Sequence, residues 1–281
     1  MILIVESGSS KADWLLVDSK GVLISFETKG WNILFLSISE IQTRLSCLTN
    51  LEVYIEEINQ VYFYTPGASV LDSVRVLERE FEIKFPAAEV FIESDLLAAA
   101  RSVYKNRPLF VSILGTGSNT AFFDGEMLEQ STPSLGFVLG DEGSGACLGK
   151  ELLKAYLYQT LPKDLHLSFS KSHSISKDMV LKSVYTQDSP SRFLASYVPF
   201  LAENITHEFV RNLVAAQFDL YVKTHLLVIP TIRDFNLSFV GGVAYVFQDI
   251  LSSICIKHGL TIGEIVNRPK AGLVSYHLQN N

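Results

Sequence analysis

Little in this chain suggests a metal scaffold, a membrane protein or a nucleic-acid binder. Of 281 residues only three are cysteines, at positions 47, 147 and 255. No two stand at zinc-ligand spacing, and an odd number argues against a framework of paired disulfides. A reduced, cytoplasmic setting is the simplest expectation. The six histidines (166, 173, 207, 225, 258 and 277) lie at no metal-ligand spacing with one another or with a cysteine, and most are expected on the surface. Apolar runs are short and broken by Gly, Pro or charge, so none is long enough to cross a bilayer. Met1 leads straight into an apolar strand, with neither the basic stretch nor the small-residue cleavage site of a secretion signal. Charged residues make up only 19%, and 23 Lys and Arg face 30 Asp and Glu for a net charge of −7. That balance disfavours general binding to nucleic acid or to a membrane surface. A small anionic ligand is still allowed, because backbone amides bind phosphate without any net positive charge.

Hydrophobic residues are plentiful at 48%, and the length suffices for two domains with substantial cores. The most informative positive feature is a repeated device. Ile2–Val5 reads as an apolar strand, Glu6-Ser7-Gly8-Ser9-Ser10-Lys11 as a tight turn, and Ala12–Val17 as a second strand, followed by the turn Asp18–Gly21. Leu109–Leu114, Gly115-Thr116-Gly117-Ser118 and Asn119–Phe123 repeat the pattern, followed by the turn Asp124-Gly125. Both fit β-meanders. Turns of Gly, Ser and Thr offer unobstructed N–H groups and hydroxyls, as a phosphate oxygen requires. Two such turns facing each other could hold a polyphosphate from both sides.

Between and after these meanders, helical and strand patterns alternate. Residues 37–58 read as helix interrupted near Thr49-Asn50, Gln60–Tyr64 as a buried strand, Val70–Phe81 as helix and Glu89–Ile92 as a strand. Ser94 is placed to cap a helix over Asp95–Tyr104. Lys105-Asn106-Arg107-Pro108 is the expected junction, giving domains 1–107 and 108–267. In the second half, a helix is expected over Ala146–Gln159 and an exposed loop over the Ser-, Lys- and His-rich residues 162–176. Residues 190–224 read as largely helical with a break at Pro199, Leu237–Val240 as a strand, and Ala244–Lys257 as helix. The tail, 268–281, is expected to pack back on the first domain as a short helix. Such alternation predicts an α/β fold of two similar halves around a cleft.

In this order and spacing the motifs resemble the superfamily of sugar kinases, heat-shock ATPases and actin, and within it the N-acetylglucosamine kinase-like and BadF/BadG-type ATPase branch. The resemblance spans Glu6 to Gly242 and implies two ribonuclease H-like (actin-like ATPase) domains around a central cleft that holds ATP and Mg²⁺. It implies that Gly8, Ser9, Ser10 and Lys11 contact the β- and γ-phosphates, with Glu6 reaching the metal through water. Family members usually carry Asp where Glu6 stands and Thr where Ser10 stands. Gly115, Thr116, Gly117 and Ser118 correspond to the second phosphate turn, and Gly241-Gly242 to the adenosine motif. Asp95 corresponds to the base that accepts the proton of the attacking sugar hydroxyl. At a helix N-terminus its ionised form is expected to be favoured, although helix capping alone also accounts for an acidic residue there. Asn32 and Gly136 correspond to sugar-contacting positions, and Asp141 to a residue that binds sugar hydroxyls or orders the metal region. Relatives that bind sugars often carry an aromatic residue shortly before Gly136, where this chain has Ser134-Leu135.

The resemblance therefore implies an ATP-dependent sugar kinase acting on the 6-hydroxyl of N-acetylglucosamine or a related amino sugar. Its partner would be the small-molecule sugar, and related kinases are often homodimers. Two other readings stand beside it: an ATPase activator of a radical dehydratase or reductase, which would need an iron–sulfur cluster and its cysteine ligands, and a nucleotide- or sugar-binding sensor without catalysis. The zinc-binding His/Cys cluster of another sugar-kinase family is missing from the sequence.

Overall fold

The computed structural model describes residues 1–8, 11–187 and 189–280. The chain forms two compact units, Met1–Tyr104 with Pro269–Asn281, and Lys105–Arg268. In the first, strands β1 (Ile2–Ser7), β2 (Lys11–Asp18) and β3 (Gly21–Lys29) form the meander, followed by α1 (Ile38–Ser46), β4 (Gln60–Thr65), α2 (Leu71–Lys84), β5 (Glu89–Ser94) and α3 (Asp95–Val103). The second unit contains β6 (Leu109–Leu114), β7 (Ser118–Phe123), β8 (Leu128–Gln130), α4 (Gly136–Leu139) and α5 (Gly145–Leu157). It continues through α6 (Lys163–Ser172), α7 (Lys177–Tyr185), α8 (Pro190–Ala195), α9 (Val198–Glu203) and α10 (Glu208–Tyr221). It closes with β9 (Asn236–Val240), α11 (Gly242–Val246), α12 (Gln248–Lys257) and β10 (Ile262–Val266), and α13 (Lys270–Asn280) then returns to the first unit.

The first sheet has the order β3-β2-β1-β4-β5, with β1 antiparallel to β2 and parallel to β4, and β4 parallel to β5. The second has the order β8-β7-β6-β9-β10 with the same directions. Each unit is therefore the ribonuclease H-like α/β arrangement expected from the repeated meanders.

Alternation along the strands sends successive side chains to opposite faces. In the first unit Leu3, Val5, Trp14, Leu16 and Phe63 face α1 and α2. Trp14 stacks on Phe81 with ring centres 6.2 Å apart and meets Trp31 edge-on at 5.8 Å. The intervening positions face α3 and α13. There a Cβ on Gly272 would come within 1.9 Å of the Ser102 carbonyl oxygen, so glycine sets the approach of α13 to α3. His277 of α13 lies in this layer, with Nε2 2.8 Å from the Tyr64 hydroxyl and its ring against Tyr62.

Two local expectations need correction, and a third has one exception. Residues 162–176 are not mainly loop: α6 occupies most of them, because Leu165 and Phe169, one turn apart, are buried in the second core. The polar Ser, Lys and His residues lie between these anchors and mask them. The expected helix over Ala244–Lys257 breaks at Phe247, whose N–H closes on the Val243 carbonyl before α12 begins. The histidines are not all surface groups: His277 is only 2% exposed.

Burial, aided by the nearby Arg101 charge, pushes the His277 pKa down to about 3. In the unfolded chain this imidazole takes up its proton near its ordinary value, so the unfolded state binds more protons than the folded state below that pH. Stability contributed by neutral His277 is thus present above about pH 6.5 and is lost as pH falls from there towards 3. Replacement His277→Gln is expected to flatten the stability–pH curve over that window, as read from urea midpoints at a series of pH values.

Candidate functional site

In open sheets with parallel strands, ligands bind beyond the carboxyl ends of those strands. In the first unit these are the ends of β1, β4 and β5, and the register sets Glu6 beside Tyr64, Tyr64 beside Glu93, and Thr65 beside Ser94. Glu6 is half-buried on the face that carries α3 and α13, and pairs in register with Asp13 of β2. Beyond it the turn closes through Gly8 N–H donating to the Lys11 carbonyl at 2.9 Å. Ser9 and Ser10, expected to contact phosphate, lie outside the described residues. Lys11 is exposed and its ammonium pairs with Glu27 of β3 at 3.0 Å.

Asp95 is the first residue of α3, directly after β5. Capping falls to its neighbour: the Ser94 hydroxyl accepts from the Leu97 N–H at 3.1 Å. The Asp95 carboxylate lies at the same helix start and accepts from the N–H groups of Leu96 and of Asp95 itself. The expectation that the helix terminus would favour ionised Asp95 is corrected. Burial outweighs the stabilising N–H groups of Leu96 and of Asp95 itself, and the carboxyl is pushed up to about 6. The helix-end effect is modest, whereas removing water from a carboxylate shifts it by units. Such a group is ionised at neutral pH yet basic enough to take a proton.

Asn32 follows Trp31, whose peptide is tied to the same sheet edge. Its N–H donates to Ser7 Oγ at 2.7 Å, and its carbonyl accepts from Thr65 Oγ1 at 2.6 Å. The Asn32 side-chain oxygen accepts from Leu34 N–H at 3.1 Å, starting the 3₁₀ turn Ile33–Phe35. Glu6, Gly8, Asn32 and Asp95 thus all belong to the segments that leave or border one strand edge.

The second unit repeats the scheme. The turn after β6 closes through Gly115 N–H donating to the Gly117 carbonyl at 3.0 Å. It rests on the start of α5, since the Gly145 and Ala146 N–H groups donate to the Gly115 and Thr116 carbonyls at 2.8 and 3.1 Å. Asp141 reaches this turn. Its Oδ1 accepts from Ser118 N–H at 3.4 Å, and a Cβ on Gly117 would lie 3.0 Å from its Oδ2. Burial raises the Asp141 pKa against the lowering influence of that N–H, while nearby Glu142 adds repulsion. Ser118 Oγ is buried and has no hydrogen-bond partner among the described residues. A buried hydroxyl without a partner is costly, and a phosphate oxygen or metal-bound water beside it would relieve that cost. The donor set of the turn therefore fits a magnesium–triphosphate.

Gly241 ends β9 with φ +130°, and a Cβ there would lie 2.3 Å from the Leu114 carbonyl oxygen. Its N–H donates to Val266 at 2.9 Å, and Gly242 begins α11. The adenosine motif of the resemblance is thus a bare strand-to-helix corner beside the second Gly turn. Gly136, with φ +69°, opens the short helix α4, whose Val138 and Leu139 are exposed together with the preceding Leu135.

Several supporting residues were not foreseen. Glu142 and His225 pair at 2.7 Å, and the His225 ring stacks on Tyr221, against which Gly143 packs. Tyr221 in turn bonds Thr120 at 2.6 Å. These contacts hold the Gly140–Gly145 loop from beneath, and His225 sits in a wide π-helical turn, Val222–Leu226. π-turns frequently mark functional sites, but their sequence signal is slight. Cys147, the cysteine that follows the Gly-rich loop, is buried in α5 with its thiol near the Gly140 carbonyl, and burial raises its pKa rather than favouring a thiolate.

The chain matches no protein-family model and no curated protein. Among solved structures it is similar to a candidate N-acetylglucosamine kinase from Porphyromonas gingivalis, with 34% identity and a TM-score of 0.95 over 100% of this chain and 99% of that one. A candidate N-acetylglucosamine kinase from Chromobacterium violaceum has 16% identity and a TM-score of 0.65 over 98% of each chain. A ROK-family transcriptional regulator, homologous to the E. coli Mlc protein, has 13% identity and a TM-score of 0.56 over 99% of this chain and 78% of that one. The last two show the fold alone, and that fold serves more than one function. The full-length likeness to the Porphyromonas protein goes further, and with the doubled sheet topology it shows that this chain belongs to the N-acetylglucosamine kinase-like branch of the actin-like ATPases.

Proposed function

We propose that the chain is an ATP-dependent sugar kinase that phosphorylates the 6-hydroxyl of N-acetylglucosamine or a related amino sugar. The observation that carries this reading is Asp95. It stands at the carboxyl end of β5 and start of α3, beside the Ser94 cap, and its carboxyl is pushed up to about 6. In this role the Asp95 carboxylate takes the proton of the sugar hydroxyl as that oxygen forms its bond to the terminal phosphorus of ATP. The bond between that phosphorus and the bridging oxygen of ADP breaks, and ADP carries away the bond pair. Positioning and charge neutralisation supply most of the acceleration in such transfers.

The Gly8 and Gly115–Ser118 turns serve the phosphates, with the Ser118 hydroxyl as a donor. The Gly241-Gly242 corner serves the adenosine, and Asn32 with the Gly136 segment serves the sugar. Mg²⁺, when bound, neutralises charge on the β- and γ-phosphate oxygens. Glu6 would hold it through water. Asp141 would order the water around it, because its carboxylate lies on the second Gly turn. Support for a kinase over a sensor lies in keeping both a base of suitable pKa and a donor-rich turn in one chain.

A panel of hexoses and N-acetylhexosamines with ATP and Mg²⁺, followed by coupled release of ADP, tests the reading. Sugar-dependent ADP release with N-acetylglucosamine among the best substrates is expected. No turnover with any sugar would overturn it. Asp141→Asn is expected to raise the Mg²⁺ concentration for half-maximal rate by about tenfold or more, with the sugar KM little changed. A shift in sugar KM alone would assign Asp141 to the sugar instead.

A further inference from the structure

We infer that Ser7 and Thr65 are positioning residues that set the Asn32 loop against the first phosphate turn, so that sugar affinity depends on two buried hydroxyls that need not touch the sugar. The inference rests on the proposed kinase reading, in which Asn32 contacts sugar and the Gly8 turn contacts phosphate.

The geometry is closed and dry. Ser7 and Thr65 are both 0% exposed and Trp31 is 1% exposed. The Trp31 N–H donates to Ser7 Oγ at 2.7 Å, and the Trp31 carbonyl accepts from Thr65 Oγ1 at 2.6 Å. The same carbonyl lies 3.1 Å from Ser7 Oγ, so the one Ser7 proton has a second route onto it. Buried backbone N–H and C=O groups must find partners within the protein, and those of Trp31, which belong to two successive peptide groups, find them on side chains at the ends of β1 and β4. Among the described residues, no backbone ladder ties Trp31 to the sheet at this point. Ser7 is also the residue immediately before Gly8, whose N–H closes the phosphate turn onto Lys11. A single side chain thus joins the phosphate turn to the segment that presents Asn32.

Other contacts act on the same segment from different sides. Arg44 donates to the Gly30 carbonyl at 3.0 Å and lies 5.5 Å over the Trp31 ring, which holds the loop on its outer side. The turn after Asn32 is fixed by the Asn32 side chain itself. With the Trp31 ring packed in the core, Ser7 and Thr65 fix the backbone of the segment over the strand ends.

Thr65→Val keeps the shape of the side chain and removes its hydroxyl; Thr65→Ser keeps the hydroxyl and removes a methyl. For folded Thr65→Val, the sugar KM is expected to rise about tenfold, with ATP binding in the absence of sugar within twofold of wild type. Thr65→Ser should restore most of the sugar affinity. Ser7→Ala should act in the same direction, and the Ser7→Ala, Thr65→Val pair should raise the KM by less than the product of the single effects, since both act on the backbone of one residue, Trp31. Sugar KM unchanged in Thr65→Val, or equal impairment in Thr65→Ser and Thr65→Val, would overturn the inference while leaving the kinase reading intact. A wild-type protein that phosphorylates no sugar would instead remove the kinase reading, and the clasp's role with it.

Discussion

Asp95→Asn is expected to lower kcat by roughly 10²–10⁴-fold while ATP still binds. The amide is nearly isosteric with the carboxylate but cannot accept a proton from the sugar hydroxyl. Because the carboxyl is pushed up to about 6, wild-type kcat/KM is expected to fall as pH drops below that value, with a slope of one proton. The variant's residual activity should lack that limb. A linked effect on stability runs in the opposite direction. Below the ordinary Asp value both folded and unfolded chains carry a protonated Asp95, so the substitution has little effect there. Above about pH 6 the folded chain must hold an ionised carboxylate in a poorly solvated place, a cost the unfolded chain avoids. Asn removes that cost, which is roughly 1–3 kcal/mol. Asp95→Asn should therefore melt at a higher temperature than wild type at pH 7.5 and at a similar temperature near pH 4. An inactive but stabilised variant would mark this carboxylate as one kept for chemistry. A fully active variant would remove it from the reaction.

Gly241→Ala is expected to be strongly damaging to the second unit. Two independent faults coincide at this position. The backbone has φ +130°, which side chains rarely adopt, and the new Cβ would lie 2.3 Å from the Leu114 carbonyl oxygen. A carbonyl at the end of a paired strand cannot swing aside as a flexible side chain would. Strain and overpacking together should cost roughly 2–4 kcal/mol, read as a lower urea midpoint at an unchanged m-value. ATP affinity should fall with it, since the displaced corner joins β9 to α11 and abuts the turn at Gly115. Gly242→Ala is the control: its Cβ would meet only Asn267 Oδ1 at 3.6 Å, an ordinary contact. Equal stability of Gly241→Ala and Gly242→Ala would contradict the argument.

How much of this was legible in the residues follows from the range of the forces involved. The meanders are written locally, as apolar strands flanking Gly, Ser and Thr turns, and their repetition exposes the doubled sheet. Ser94 as the cap of α3 is likewise a local signal, and the hydrogen bond to Leu97 matches it. The raised pKa of Asp95 is not local, because burial depends on what packs around it and overrides the helix-end effect. β10 carries Gly263 and Glu264 within a five-residue edge strand, a pattern too short and polar to read as a strand. The Glu142–His225 pair joins residues 83 apart in sequence, and only the packing of α10 under the Gly-rich loop brings them together. The hydroxyls of Ser7 and Thr65 were equally hidden: one looked like part of a phosphate turn and the other like the end of a strand.

The return of α13 to the first unit has a consequence for biogenesis. Residues 1–104 leave the ribosome first, but the layer that receives Gly272 and His277 cannot be filled until everything up to that helix has been translated. The unit spanning 105–268 is continuous and can close while its predecessor still waits for its last piece. Maturation of the nascent chain should therefore run from the middle outward, leaving the cover of Tyr62 and Tyr64 as a late event.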